Sequence, residues 1–315
     1  MQLLRELPEH PPKESALLTI GVFDGVHLGH RYLLERLREA AAREGALSAV
    51  LTFTNHPRTV IRPGDCVPYI TPVDDRLELL RQEGVDLVIP LTFDEELSRL
   101  KAHEFVDLLR ERVNMGGLVM GNSFAMGHQR GGTPETLAQM GRDKGFSTTV
   151  VESASSQGEE VSSTAIREAI TSGDVSRASR MLGRKFVLRG EVVRGQARGR
   201  ELGFPTANLD LPECQVVPGN GVYAARAVVD GAALPAAVNI GVRPTFGDGE
   251  RMVEVHILDY VGGDLYGSKL AVEFVERLRD ELRFGSVEEL VAQMSKDVEQ
   301  SRQILGQLPS ATDAR

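Results

Sequence analysis

The feature that most constrains this chain is a change of hydrophobic rhythm near residue 183. Before it, short apolar runs (17–23, 47–53, 85–90, 117–121, 147–151) alternate with amphipathic stretches (31–43, 74–82, 103–112, 134–144). The first stretch sets Leu33, Leu34, Leu37, Ala40 and Ala41 on one helical face. Strands that alternate with helices need right-handed crossovers, so they pair as a parallel sheet covered on both faces. The spacing therefore predicts a doubly wound α/β domain, closed by helices over 164–170 and 175–182. After Gly183 the runs 186–193, 221–229, 234–240, 252–258 and 269–274 are strand-like. Turn signals separate them, at Asp230-Gly231, Gly247-Asp-Gly249 and Gly262-Gly-Asp264. Short strands at this spacing suggest an antiparallel sandwich or small barrel, with an amphipathic helix over 286–305 packed against it.

Length agrees with two domains, since 315 residues is twice the roughly 150 of one. Thirty-six Lys+Arg against forty-five Asp+Glu leave a formal charge of −9, which argues against a nucleic-acid partner gripped by a broad basic face. Cys66 and Cys214 lie far apart with no C-x-x-C, so neither a disulfide framework nor a cysteine-rich zinc site is expected. No run approaches the ~18 apolar residues of a spanning helix, and residues 1–13 hold prolines and acids where a secretory leader needs an apolar core. The expectation is a soluble cytoplasmic protein without a membrane partner. Residues 309–315 are expected to form a disordered tail.

The densest chemistry is Gly21-Val-Phe-Asp-Gly-Val-His-Leu-Gly-His30, between the first strand and the first helix. In an open parallel sheet ligands collect there, at the carboxyl ends of strands. Gly21, Gly25 and Gly29 let backbone approach a ligand, while His27 and His30 flank a helix N-terminus that attracts anions. The spacing is not G-x-G-x-x-G, and no G-K-S/T makes a P-loop. Two histidines three apart could also be a metal pair or plain surface residues; the glycine-rich context favours a nucleotide site. Val161-Ser-Ser-Thr-Ala-Ile-Arg167 opens a later helix. Ser162 or Ser163 could simply cap it, or the hydroxyls with Arg167 could cradle a phosphate. His56-Pro57 belongs to the same sheet edge, as a lining residue or an ordinary turn.

In the second half, residues 184–200 carry six basic side chains and one acid, a local reversal in an acidic chain. They lead into Leu202-Gly-Phe-Pro-Thr-Ala-Asn208, where Thr206 and Asn208, two apart in an extended segment, face one side and could share a hard cation. Gly219-Asn-Gly-Val-Tyr-Ala224 matches a relaxed dinucleotide fingerprint but precedes a strand, so it is a turn. Glu254 alternates with Val253 and Val255, a pattern that also suits a solvent-facing acid.

Gly21 to His30 resembles the H-x-G-H segment of the nucleotidyltransferase superfamily, and Ser162 to Arg167 its later phosphate-binding segment. Residues 199–208 resemble the G-F-P-T-A-N segment of the flavokinases, and 239–245, Glu254-Val-His256 and Asp264-Leu-Tyr-Gly267 follow in family order. From about residue 17 to 305 the chain is thus similar to the bacterial bifunctional riboflavin kinase/FAD synthetases. The resemblance implies a Rossmann-like nucleotidyltransferase domain over 1–183 and a Greek-key β-barrel kinase domain with a C-terminal helix over 184–308. It implies that ATP phosphorylates riboflavin to FMN and then adenylylates FMN to FAD with release of pyrophosphate, Mg²⁺ serving both steps. The alternatives are a kinase with a weak or silent adenylyltransferase half, and a flavin-binding regulator without turnover. Oligomeric state stays open.

Residue by residue, the resemblance makes His27, His30 and Glu254 catalytic, Glu254 as the base for the ribityl 5′-hydroxyl. Gly21, Phe23, Asp24, Gly25, Ser162, Ser163, Thr164, Arg167, Gly199, Gly203 and Pro205 would bind ATP or its phosphates. Asn239, Arg243 and Arg279 would bind flavin, and Thr206 with Asn208 the cation. Departures fall in the first half: Ser123, in Gly121-Asn-Ser-Phe-Ala-Met-Gly127, replaces a larger polar residue, and Asn55 stands where proline is common. Weaker FMN positioning is the expected consequence of Ser123.

Overall fold

Strand β1 (Ala16–Gly21) carries the logic of the first half, because its apolar side chains are buried to both sides. Leu17 enters one core with Leu34, Leu37 and Val119, while Leu18 and Ile20 enter another with Phe105 and Leu109. A strand buried on both faces has no polar side to show, which is why the sequence runs apolar there instead of alternating. The computed structural model describes residues 2–152, 155–156, 159–195, 199, 202–242 and 251–306.

In chain order the first half contains α1 (Leu3–Glu6), β1, α2 (Leu28–Glu44), β2 (Leu47–Phe53), α3 (Pro57–Ile61), α4 (Val73–Gln82) and β3 (Leu87–Leu91). Then come α5 (Glu95–Arg99), α6 (Ala102–Val113), β4 (Met115–Gly121), α7 (Pro134–Lys144), β5 (Ser147–Val151) and the short pair β6 (Ser155–Ser156) and β7 (Glu159–Glu160). The main sheet is parallel throughout, in the order β3-β2-β1-β4-β5. From β1 the chain winds outward through β2 and β3, then returns to place β4 on the other flank. The strand order reverses between β1 and β4, so a ligand crevice is expected beyond the carboxyl ends of these two strands.

The second half begins with α8 (Ser163–Thr171) and α9 (Val175–Leu182), then β8 (Phe186–Val193), β9 (Ala207–Asp210), β10 (Gly221–Val229) and β11 (Ala232–Val242). It ends with β12 (Arg251–Ile257), β13 (Lys269–Arg279) and α10 (Val287–Gly306). The six strands close an antiparallel barrel in the order β10-β11-β12-β9-β8-β13. β10, β11 and β12 are successive neighbours and β13 returns beside β10, which is the Greek-key order. Phe186, Tyr223 and Phe274 pack ring against ring inside it. Sequence patterning left open a sandwich or a barrel; closure is achieved by β9, a four-residue strand that periodicity did not register.

Two compact units divide after Ser163, earlier than the change of rhythm near 183. Helix α9 lies on β13 and β8, and Ser176 Oγ donates to the Val275 carbonyl at 3.2 Å, so α8 and α9 go with the barrel. The rhythm marks where helices give way to strands, whereas compactness follows what each helix packs on. Among the described residues no helix is long and apolar enough to cross a membrane.

Candidate active sites

The loop after β1 is built under strain. Phe23, Gly25 and Val26 all have positive φ (53°, 84° and 37°), and for a β-branched residue such as Val26 that is a genuine outlier. Two buried anchors hold it. The Asp24 carboxylate, 2% exposed, accepts from the amides of Ile70 (3.0 and 3.1 Å) and Thr71 (3.2 Å). The Asp24 carbonyl in turn accepts from Ser163 Oγ at 2.9 Å. The loop from the first strand and Ser163 at the start of α8 are thereby brought together.

His27 is the N-cap of α2, and its Nδ1 accepts from the His30 amide at 3.3 Å. With Nδ1 an acceptor, the neutral ring carries its proton on Nε2. The two imidazoles stack at a centroid distance of 3.6 Å and 17° between planes. Gly29 fits closely between His27 and the segment before α8: a Cβ there would lie 3.2 Å from the His27 ring and 3.3 Å from the Val161 carbonyl. Burial first, then His27 and the Arg76 guanidinium, hold the His30 pKa well below its ordinary value, so this imidazole is neutral.

Arg76 is a residue the sequence reading missed. It is fully buried on α4, its Nη2 donates to the Phe53 carbonyl at the carboxyl end of β2, and its guanidinium lies 5.6 Å from the Tyr69 ring centroid. Its Nε and Nη1 have no hydrogen-bond partner among the described residues. The available signal was its spacing: Arg76 sits one turn before buried Leu80, on the apolar face of its helix. Asn55 likewise proves structural, since its carboxamide exchanges two 2.8 Å hydrogen bonds with the peptide of Phe93 and extends the β2–β3 edge. His56 caps α3 by accepting from the Arg58 amide at 3.1 Å. The Ser123 loop leaves β4 beside the strand-order reversal, with the Phe124 amide donating to the Gly121 carbonyl. Thr164 and Arg167 belong to α8 within the second compact unit.

In the barrel, pairing does what sequence spacing alone could not. Glu254 on β12 is the register partner of Asn239 on β11 and of Asn208 on β9. Three polar side chains from three strands thus stand in one row on one face, neighbours being about 5 Å apart by sheet geometry. Thr206 precedes Asn208 by two and shares that face. All four line a cavity of about 390 Å³ whose remaining wall is largely apolar, from Phe204, Leu282, Phe284, Leu290, Met294 and Val298. Gly199 and Arg279 also line it. The solvent-facing alternative for Glu254 is therefore set aside. Gly195 lies against this row, for a Cβ there would be 2.2 Å from the Asn208 Nδ2. His256 Nδ1 pairs with the Pro205 carbonyl at 2.8 Å, tying the loop before β9 to β12. A second hollow, about 570 Å³, is lined by Pro205, Thr206, Tyr260, Asp264 and Tyr266, so Thr206 borders both spaces. Gly203 has φ 85° in the turn between Gly199 and Pro205. Arg243, Arg198 and Arg200 lie outside the described residues.

Comparison with known proteins matches both halves. A family model described as FAD synthetase matches residues 9–165, and one described as riboflavin kinase matches residues 182–305. Three relatives are each described as a bifunctional riboflavin kinase/FMN adenylyltransferase. The chain is 41% identical to the one from Pseudomonas fluorescens, covering 99% of each chain. It is 36% identical to the one from Escherichia coli (strain K12), over 97% of this chain and 98% of that one. It is 34% identical to the one from Bacillus subtilis (strain 168), over 93% and 95%. Among solved structures, a chain described as a macrolide-efflux protein from Streptococcus pneumoniae superposes with a TM-score of 0.87 at 30% identity, over 96% of this chain and 97% of that one. With both halves matched in order and at full length, the chain belongs to the bifunctional riboflavin kinase/FMN adenylyltransferase family.

Proposed function

We infer that this protein makes FAD from riboflavin in two steps, phosphorylation by the half spanning residues 184–308 and adenylylation by the half spanning 1–183. The observation that carries the reading is the row of Asn239, Glu254 and Asn208 across three barrel strands at the wall of a mostly apolar cavity. An apolar slot of this size with a few convergent polar groups suits a flat heteroaromatic ligand. Thr206, on the border of the cavity and the second hollow, suits the point where the ATP phosphates meet the flavin side chain.

In the kinase step, the Glu254 carboxylate takes the proton of the ribityl 5′-hydroxyl as that oxygen attacks the γ-phosphorus and ADP leaves. A positioned base supplies typically ~10²–10⁴ in rate. Asn239 and Arg279 orient the flavin, with Arg243 as a further flavin contact; Gly199, Gly203 and Pro205 shape the turn that approaches ATP. A hard divalent cation such as Mg²⁺ fits the neutral oxygens of Thr206 and Asn208, because it binds through few protein ligands and keeps phosphate oxygens and waters. When bound, the cation would supply charge neutralisation on the phosphates.

In the adenylylation step, a phosphate oxygen of FMN attacks the α-phosphorus of ATP and pyrophosphate leaves. His27 and neutral His30 donate hydrogen bonds where charge develops, helped by the loop through Gly21, Phe23 and Gly25 and by the amides at the α2 N-terminus that follows it. Ser162, Ser163, Thr164 and Arg167 take the phosphates. Asp24 serves by holding the loop, since its carboxylate is engaged with Ile70 and Thr71. A cytoplasmic location accords with ATP as co-substrate.

The test is to incubate the protein with Mg²⁺ and ATP, once with riboflavin and once with FMN, and to separate the flavins. FMN followed by FAD is expected from the first and FAD from the second. Glu254→Gln should lower FMN formation about 10²-fold or more while sparing FAD formation from FMN. Absence of FMN from the wild-type reaction rejects the kinase, and FMN accumulating without FAD at high ATP would mean a silent adenylyltransferase.

A further inference from the structure

Asp297 lies on α10, is 4% exposed and lines the barrel cavity, yet no part of the chemistry above uses it. Its carboxylate is saturated by the protein. Oδ1 accepts from Arg279 Nε at 2.9 Å and from Gln293 Nε2 at 2.9 Å. Oδ2 accepts from Arg279 Nε at 3.2 Å and Nη2 at 2.7 Å. An acceptor so engaged has little left for a substrate, so its effect must pass through Arg279. The guanidinium has five donor hydrogens in a rigid fork. Asp297 takes Nε and one hydrogen of Nη2, and the Asp280 carbonyl takes one of Nη1 at 2.8 Å. One hydrogen on each terminal nitrogen is left, on a side chain that lines the cavity.

We propose that Asp297 is a positioning residue for the flavin: it clamps one edge of Arg279 so that the other presents its remaining donors to the cavity. The ligand chemistry this selects is a planar heterocycle with adjacent ring-nitrogen and carbonyl acceptors on one edge, as isoalloxazine carries. Gln293, one turn earlier on α10, holds Asp297 against rotation. Because α10 and the segment before it also supply Leu282, Phe284, Leu290, Met294 and Val298, the same clamp ties the apolar wall to the end of β13. The inference rests on the reading of this cavity as the riboflavin site.

Asp297→Asn tests it, since the amide keeps the shape but turns a donor toward Nη2. The KM for riboflavin should rise about tenfold or more, with kcat and the KM for ATP changed less than about threefold, as expected for losing charge-assisted bonds made in the ground state. An unchanged thermal midpoint together with the retained kcat reports an intact barrel. A second variant, Arg279→Met with Asp297→Met, replaces the buried pair by apolar groups, which often preserves stability. It should keep the thermal midpoint yet still bind riboflavin weakly. A double variant that recovers wild-type riboflavin affinity, or an unchanged KM in Asp297→Asn, would overturn the inference while leaving the site reading standing. Wild-type protein that neither binds nor phosphorylates riboflavin would remove both.

Discussion

At the scale of single residues, the buried polar groups carry the information. Arg76, Asp24 and Asp297 would each be costly inside a protein without partners, and each is held by a named contact; His30, desolvated beside His27 and Arg76, instead gives up its charge. His30 makes this measurable. Its pKa in the folded chain lies below the ordinary value, so the unfolded chain binds the proton first as pH falls. The stability of the neutral buried state is therefore fully present above about pH 6.5, the unfolded value, and is lost progressively below it. Thermal midpoints measured from pH 7.5 to 5 should fall in the wild type, and the fall should be shallower in His30→Asn. An identical slope in the two proteins would assign the titration to another group. Asp24 and Asp297 were invisible in this sense from sequence: an acid in a motif or on a helix does not announce that amides or an arginine already occupy it.

At the scale of elements, helices and long strands were legible because their periods of 3.6 and 2 record which side faces solvent. The helix expected over 134–144 coincides with α7, Pro134 standing at its first turn and Thr133 as its cap. Strand β9 was not legible, for four residues cannot establish a period, yet it closes the barrel and carries Asn208 into line with Glu254. The approach of β8 to this strand leaves no room for a side chain at Gly195. Gly195→Ala should push the Asn208 carboxamide aside and lower FMN formation on the order of 10²-fold, the scale on which small misplacements cost rate. Conversion of supplied FMN to FAD should be untouched. Retained kinase activity in a folded Gly195→Ala protein would mean that Asn208 needs no fixed position.

At the scale of the whole molecule, the chain divides into two compact units after Ser163, and the proposed chemistry gives the kinase step to the barrel and the adenylyl transfer to the imidazoles of the parallel-sheet half. Complementation between damaged copies checks that division of labour. Glu254→Gln alone should make FAD from FMN but not from riboflavin, and His30→Asn alone should stop at FMN. Mixed together with riboflavin and ATP, they should restore FAD, because FMN released by one copy is substrate for the other. FAD appearing from riboflavin with either variant alone would contradict the division; none appearing from the mixture would mean that FMN does not leave the copy that makes it.

By itself the sequence determined the class of each half, the order of its elements and the segments that hold the chemistry. These depend on local alternation of apolar and polar residues and on short motifs, and both are read along the chain. Tertiary structure alone decided that Asn239, Glu254 and Asn208 form one row, that Ser163 reaches the strained loop at Asp24, and that Arg279 is clamped by Asp297. Such partners are far apart in sequence, and only strand register and helix packing, which exclude water and fix orientation, bring them within reach of one another.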